Sequence, residues 1–422
     1  MGNSEAQKTI TLIKNARVID GTGADPIENR SILIEGNRIT QIDRQVSAPK
    51  SSKVIDGSGL TVIPGLIDSH LHLWGLKTDR IVDELLMVPD GVRLLRSANN
   101  LPHLLRSGYT TVKDCGGVNG LYLKRAVAER SIQGPRILAA GYFISQTFGH
   151  GDFFHFLPIE MSDARKSGGH GDNLTCDGKA ECMKAARYAL RQGADFIKIS
   201  TSGGVMSERD KSEHVQFTSG EIRAMVQVAK NAGTFVTAHS QSTEGMKISI
   251  EAGVRTLEHV FYPDDEVIEL GKKSGTVFVS TLSIMKRYDE GGINAGYPEW
   301  AIRKSKSVWE KVVKSIKRLH DSRATMAAGT DFLDSPLMKL GSNALELQLL
   351  VKHCGYSPMD AIVAATKNGS IACAMQDQIG SIEEGKLADL VLLRKNPLED
   401  ITSLQNPESI STVIKDGEIL RF

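Results

Sequence analysis

Six residues of this chain have the chemistry to hold metal, and each lies in or at the end of a short apolar run. His70 and His72 end the stretch Val62-Ile-Pro-Gly-Leu-Ile-Asp-Ser-His-Leu-His72. Alternate side chains of a strand share a face, so both imidazoles point the same way and can grip one cation. Lys198 stands inside Asp195-Phe-Ile-Lys-Ile-Ser200, where a lysine facing a buried interior must lose its charge or find partners. His239 closes Thr234-Phe-Val-Thr-Ala-His239, His259 closes Arg255-Thr-Leu-Glu-His259, and Asp331 closes Thr325-Met-Ala-Ala-Gly-Thr-Asp331. Taken singly, each has a bland reading. A lysine in an apolar strand is most often an edge residue reaching for water, and a strand-terminal histidine is most often a satisfied core or loop group.

The elements that must position these residues are legible too. Eight candidate strands, 66–72, 110–114, 136–143, 195–200, 234–239, 255–259, 276–281 and 325–331, are each followed by a helical stretch. Such alternation argues for βα units in a parallel sheet, and eight units argue for a (β/α)8 TIM barrel. That fold keeps its chemistry at the carboxyl ends of its strands, where the six residues fall. Ser219–Lys230, with Ile222, Met225, Val226 and Ala229 on one stripe, reads as an ordinary covering helix. The first ~60 residues alternate apolar and polar positions in the manner of a β meander, and the pattern returns in 388–393 and 410–420. A small β-sandwich built from both chain ends is expected, dividing the chain into 1–63, 64–374 and 375–422. Residues 144–180, carrying His150, Asp152, His155, His170 and Asp172, and residues 283–300, rich in Gly, Asn and Tyr, read as long connections and candidate lids over the site.

Val54-Ile-Asp-Gly57, Pro64-Gly-Leu-Ile-Asp-Ser-His-Leu-His72, Lys198, His239, His259, Gly329-Thr-Asp331 and Gly385-Lys-Leu-Ala-Asp-Leu-Val391 together resemble the metal-dependent amidohydrolase superfamily. Phe148-Gly-His-Gly-Asp152, Gly193-Ala-Asp-Phe-Ile-Lys-Ile199 with Ser202-Gly-Gly204, and Gly253-Val-Arg-Thr-Leu-Glu-His259 are similar to its branch of Xaa-Pro dipeptidase-like enzymes, arginine/lysine carboxypeptidases and ochratoxin amidases. Six candidate ligands in family order at successive strand ends outweigh the bland readings. The resemblance implies two divalent ions, zinc first among them, with His70, His72 and Asp331 on one and His239 and His259 on the other. It also implies that Lys198 has added CO₂, since a bridging carbamate brings negative charge where an ammonium would be repelled. Water shared by two zincs becomes a nucleophile near neutral pH, and Asp331 can take its proton and pass it to a leaving nitrogen. The expected reaction is hydrolysis of a C–N amide or peptide bond in a small substrate, a dipeptide or N-acyl amino acid with a free carboxylate.

His150 is expected to donate a hydrogen bond to that substrate, an assignment evenly balanced against a structural role. Gln241 departs from the tyrosine that several resembling peptidases place two residues after the strand-five histidine, which leaves substrate identity open. Tyr262 and Arg287 are candidate carboxylate contacts, each as readily ordinary loop surface. A lactone or carbamate hydrolase would use the same centre. A mononuclear deaminase would place Glu where Ser242 stands and needs no Lys198, and a metal-free scaffold protein would have lost ligands that are all present here.

Composition narrows the class. With 422 residues, 51 Lys+Arg and 50 Asp+Glu, the net charge of +1 gives no field for nucleic acid or anionic membrane. No run reaches the ~18 apolar residues of a membrane span, the first residues lack an apolar signal core, and Ala6 replaces the Ser or Thr of an acylation motif. A soluble, cytoplasmic homo-oligomer acting on a small molecule is expected. Five cysteines without a Cys-x-x-Cys pair disfavour disulfides and a thiolate zinc site, although Cys115, beside Asp114 at a strand end, has a minor claim as a site-lining thiol. His103, His320 and His353 fall in helical stretches and His214 in a loop, outside the candidate site.

Overall fold

The computed structural model describes residues 9–158, 160 and 172–422. The amino-terminal meander forms β1 (Ile10–Val18), β2 (Ile27–Glu35), β3 (Arg38–Asp43), β4 (Lys53–Asp56) and β5 (Thr61–Pro64). The middle of the chain forms β6 (Leu66–Leu71), β7 (Tyr109–Asp114), β8 (Arg136–Ala139), β9 (Phe143–Ser145) and β10 (Asn173–Thr175). It continues with β11 (Ile197–Ser200), β12 (Val236–Ser240), β13 (Thr256–His259), β14 (Val277–Ser280) and β15 (Met326–Ala328). β16 (Leu390–Leu393), β17 (Ile410–Lys415) and β18 (Glu418–Ile419) complete the strands.

Both chain ends enter one eight-stranded sheet ordered β18-β17-β16-β5-β1-β2-β3, with β4 also pairing with β1. β16 runs antiparallel to β5 in the register Leu390↔Pro64 and Val391↔Ile63. Ile13, Ile32, Ile34, Ile39, Val62, Leu390, Leu392 and Ile414 form its core, contributed by both ends as the alternation predicts. Arg136 of β8 pairs with Asp389 and Asp416, tying the central strands to this sheet.

The central strands are parallel and lie in two groups, β6-β7-β8 and β10-β9-β11-β12-β13-β14-β15. Strands such as β14 are buried along their whole length, which is why they read as apolar runs rather than alternations. The groups touch at two seams. At one, Asp195 N–H donates to the Ala139 carbonyl at 2.8 Å. At the other, Asp331 N–H donates to the His70 carbonyl at 2.7 Å and His72 N–H to that of Phe332 at 2.7 Å. Helices cover these strands. Ser219–Asn231 starts at a capping box in which Thr218 and Glu221 satisfy each other's backbone N–H groups, and it buries Ile222, Met225, Val226, Val228 and Ala229.

Two expectations need correction. The run 136–143 is not one strand: Gly141, at φ 69°, turns the chain between β8, which pairs with β7, and β9, which pairs with β11 and β10. Residues 283–300 are not a long connection either. Leu282–Gly291 is a helix burying Leu282, Ile284, Met285 and Tyr288, and a short turn leads into the helix Glu299–Asp321. The paired glycines 291 and 292 end that helix, with Gly292 as its C-cap at φ 54°. His103, His320 and His353 lie in helices as expected. All five cysteines are buried, and no described helix is long and apolar enough to cross a membrane.

Candidate metal centre

Four of the six candidate ligands, His70, His72, His239 and His259, sit at or just past the carboxyl ends of parallel strands; Lys198 lies within β11, and Asp331 follows three residues after β15. The ligand atoms of His70, His72 and Asp331 lie within 4.8 Å of one another. Asp331 Oδ1 stands 3.1 Å from His72 Nε2 and 3.3 Å from His70 Nε2, and its Oδ2 is 3.8 Å from His259 Nδ1. The His70 and His259 rings are 4.9 Å apart, and those of His239 and His259 4.5 Å. Asp331 and His259 both take positive φ, 57° and 75°, uncommon for residues with a side chain.

Outer hydrogen bonds aim the rings. His72 Nδ1–H donates to the Gly116 carbonyl at 2.8 Å, and since a carbonyl only accepts, Nε2 keeps its lone pair toward Asp331. His239 Nε2–H donates to the Gly203 carbonyl at 3.0 Å, leaving Nδ1 as its donor atom. His259 Nδ1 meets the Thr281 hydroxyl at 2.8 Å. Asp68 ties β6 to the turn bearing Asp331, accepting from the backbone N–H of His70 at 3.0 Å and of Thr330 at 3.1 Å, and from Asn343 at 2.6 Å.

Charge at this point is arranged for a cation. Burial holds His72, His239 and His259 below the usual imidazole range, in the neutral form that ligates metal. Burial opposes charge on Asp331 too, but His70 and His72 pull its carboxyl well below its usual range. His70 itself, despite burial, is drawn well above its usual range by Cys115, Asp331 and Glu258. The fit to a metal centre is clearest at Lys198, whose amine is buried, lines the cavity and has no hydrogen-bond partner among the described residues. An ammonium so placed, over the Phe143 ring at 5.8 Å but without hydrogen bonds to replace those of water, would be costly.

The residues expected around this core divide. His150 stacks on His239 with ring centroids 4.1 Å apart, and burial brings its pKa down to about 4. Its Nδ1 lies 2.7 Å from Ser207 Oγ, and Ser207 donates in turn to Asp210. Ser207 must therefore accept from Nδ1–H, which leaves Nε2 a hydrogen-bond acceptor where a donor was expected. Gln241 lines the cavity with its side-chain oxygen buried and without a hydrogen-bond partner among the described residues. Tyr262 and Arg287 are not brought to the cavity: the tyrosine hydroxyl bonds to Ser212 at 3.1 Å and the arginine to Glu290 at 2.6 Å. Of the segment 144–180, Phe148, Asp152 and His155 line the cavity, whereas His170 lies outside the described residues.

Sequence reasoning passed over Asp68, Lys113 and Glu258. The same signal that marked Lys198, charge inside an apolar strand, would have marked Lys113 in Thr110-Thr-Val-Lys-Asp114. The cavity above the centre encloses about 600 Å³ and is walled by aromatic and aliphatic side chains including Trp74, Phe143, Phe153, Phe261, Tyr288 and Trp300, with Arg80 and Arg209 also in its lining.

Imidazoles, a carboxylate and a buried amine gathered on parallel strands are the donor set of a metal-dependent hydrolase. The Amidohydrolase family model matches residues 61–420, and the chain belongs to that metal-dependent family. An ochratoxinase of Aspergillus niger is 32% identical over 436 residues, covering 99% of this chain and 88% of the relative. A prolidase complexed with N-methylphosphonate-L-proline superposes with a TM-score of 0.90 at 30% identity, covering 98% of this chain and 100% of the other. A Xaa-Pro dipeptidase with bound methionine in its active site gives 0.87 at 31%, with the same coverage. The protein is thus a hydrolytic enzyme acting on C–N bonds, in the Xaa-Pro dipeptidase and ochratoxinase branch.

Proposed function

We propose that the chain is a binuclear amidohydrolase that cleaves the amide or peptide bond of a small substrate, a dipeptide or N-acyl amino acid with a free carboxylate. The observation that carries this reading is Lys198, a buried amine without a hydrogen-bond partner among the described residues, in a cavity that His70, His72, His239, His259 and Asp331 also line. As a carbamate it would bring negative charge and two oxygens able to reach two metals. His70, His72 and Asp331 would hold one ion and His239 and His259 the other. Two zinc ions so held supply Lewis acidity and bring the pKa of water toward neutrality.

The chain's own groups do the rest. Asp331, a carboxylate at neutral pH, accepts the proton of the attacking water and delivers it to the leaving nitrogen. Neutral His150 presents Nε2 as an acceptor for the N–H of the scissile amide or the departing amine. Arg80 and Arg209 are the guanidinium groups in the cavity lining for a substrate carboxylate, and the aromatic walls suit a bulky apolar acyl part. The hydrogen bonds at both seams support reading the central strands as a closed (β/α)8 barrel, with 1–63 and 375–422 as a β-sandwich around 64–374.

The test is metal analysis joined to a hydrolysis panel of N-acyl amino acids, Xaa-Pro and Xaa-Arg dipeptides, lactones and aryl amides. The best substrate is then compared as free acid and methyl ester. Two metals per chain and a kcat/KM preference for the free acid are expected. Indifference to the carboxylate, or preference for lactones, would overturn the substrate class. One metal per chain in active enzyme would overturn the binuclear centre.

A further inference from the structure

A charged relay lies beneath the imidazole pair, in a part of the site that the proposed chemistry does not use. Lys113 of β7 and Glu258 of β13 are both fully buried. Lys113 Nζ donates to Glu258 Oε1 at 3.0 Å, Thr256 Oγ1 at 3.0 Å and Thr237 Oγ1 at 3.1 Å, so each ammonium hydrogen has an acceptor. Glu258 Oε1 also accepts from the Thr256 hydroxyl at 2.6 Å. The other carboxylate oxygen, Oε2, lies 2.7 Å from Nδ1 of His70. Lys113 and Thr256 thus hydrogen-bond one side of Glu258 and His70 the other, with the Cys115 thiol within 4.8 Å of the Glu258–His70 pair.

A buried ion pair is by itself weak evidence for stability, since an apolar pair of similar volume often serves a core as well. What this pair does that an apolar pair cannot do is decide which nitrogen of His70 carries hydrogen. A carboxylate facing an ammonium can only accept, so Nδ1 bears a hydrogen and Nε2, which faces Asp331, is the nitrogen left for a metal. We infer that Lys113 and Glu258 are positioning residues for the metal, fixing His70 in its Nδ1–H tautomer and its ring direction. The inference rests on the reading of His70 as a ligand. Nothing in it requires either residue to touch substrate.

The experiment compares the full-length wild type, His70→Asn and the charge-neutral double variant Lys113→Met/Glu258→Gln. The double variant removes both charges together and leaves no lone buried ion. Zn²⁺ affinity is read by competition with a chromophoric chelator, and ligand geometry from the visible spectrum after Co²⁺ substitution. The double variant is expected to lose about 10–100-fold in affinity for one of two metals and to show a changed Co²⁺ spectrum, as removal of an outer partner of a ligating histidine does. If it keeps wild-type affinity and spectrum while His70→Asn loses a metal, the positioning role is overturned and the ligand reading stands. If His70→Asn also keeps both metals, the ligand reading falls and the inference with it. Should the double variant not fold, long-range ¹H–¹⁵N correlation of histidine-labelled wild type, assigned by the signal missing in His70→Asn, decides. An Nδ1–H tautomer supports the inference, and an Nε2–H tautomer overturns it.

Discussion

Asp331→Asn isolates proton transfer from metal holding. The substitution keeps the shape of the side chain, and Asn tolerates the left-handed conformation at φ 57° as Asp does, so the turn after β15 is retained. A carbonyl oxygen of the amide can still stand where Oδ1 lies 3.1 Å and 3.3 Å from the Nε2 atoms of His72 and His70. What disappears is an anionic group able to accept a proton, since an amide does not do so near neutral pH. General acid–base catalysis contributes about 10²–10⁴-fold, which at 1.36 kcal/mol per decade is about 3–5 kcal/mol of barrier. The expected result is a fall in kcat of that size, with KM within about tenfold of wild type and the circular dichroism spectrum unchanged. Steady-state kinetics on the best substrate from the panel, with metal content measured on the same preparation, provide the assay. A variant that keeps both metals and turns over within tenfold of wild type would place the base elsewhere and refute the assignment.

Removal of metal by a chelator should abolish hydrolysis and lower the melting temperature, with both restored by Zn²⁺, because a ligand held only by the native state stabilises it by about 2.7 kcal/mol at a hundredfold excess over Kd; activity that survives exhaustive dialysis with metal below detection would contradict a metal centre. Lys198→Ala should lose metal and turnover together, and intact-protein mass spectrometry of native wild type should show added CO₂ on this residue; full turnover by the alanine variant would remove Lys198 from the centre. Arg209→Ala should raise KM for a free-acid substrate more than for its methyl ester; equal effects on both would discard Arg209 as the carboxylate partner. Asp334 is buried, its Oδ2 without a hydrogen-bond partner among the described residues, and burial raises its pKa to about 6 from 3.8. Its folded value lies above its unfolded one, so its contribution is fully present below the unfolded pKa and is lost as pH rises through about 6, a difference of roughly 3 kcal/mol. Asp334→Asn should therefore be more stable than wild type at pH 7.5 in urea unfolding, with the advantage gone near pH 4; an advantage independent of pH would refute the titration.

The candidate ligands were legible because each is a polar or ionisable group where an apolar strand leaves no ordinary reason for one. Their order along the chain then matched successive strands, and those strands bring His70, His72, His259 and Asp331 into one cluster. The break at Gly141 was hidden by the unbroken apolar character of 136–143, since both flanking pieces are buried and neither turn nor pairing partner leaves a periodic trace. The helix Leu282–Gly291 was masked by its glycine-rich exit, although its buried positions 282, 284, 285 and 288 follow a helical face. Tyr262 and Arg287 were plausible by residue type alone, and type does not say which way a side chain turns. Lys113 and Glu258 were invisible as a pair because they are 145 residues apart and only the fold makes them neighbours.

The strand pairing that joins the two chain ends sets a timetable for synthesis. β5 pairs with β1 on one side, but its other edge finds a partner only when β16 arrives, with Ile63 facing Val391 across nearly the whole intervening sequence. At ~5–20 residues per second that wait lasts roughly 15 to 65 s, during which an apolar strand edge stands open on the nascent chain. An open edge is a template for other chains, so yield in the cell should depend on chaperones holding this segment more than on the stability of the finished enzyme. A circular permutant that links the carboxyl end to the amino end, and opens the chain at an exposed loop between central helices, would bring β5 and β16 off the ribosome close together and shorten the exposure.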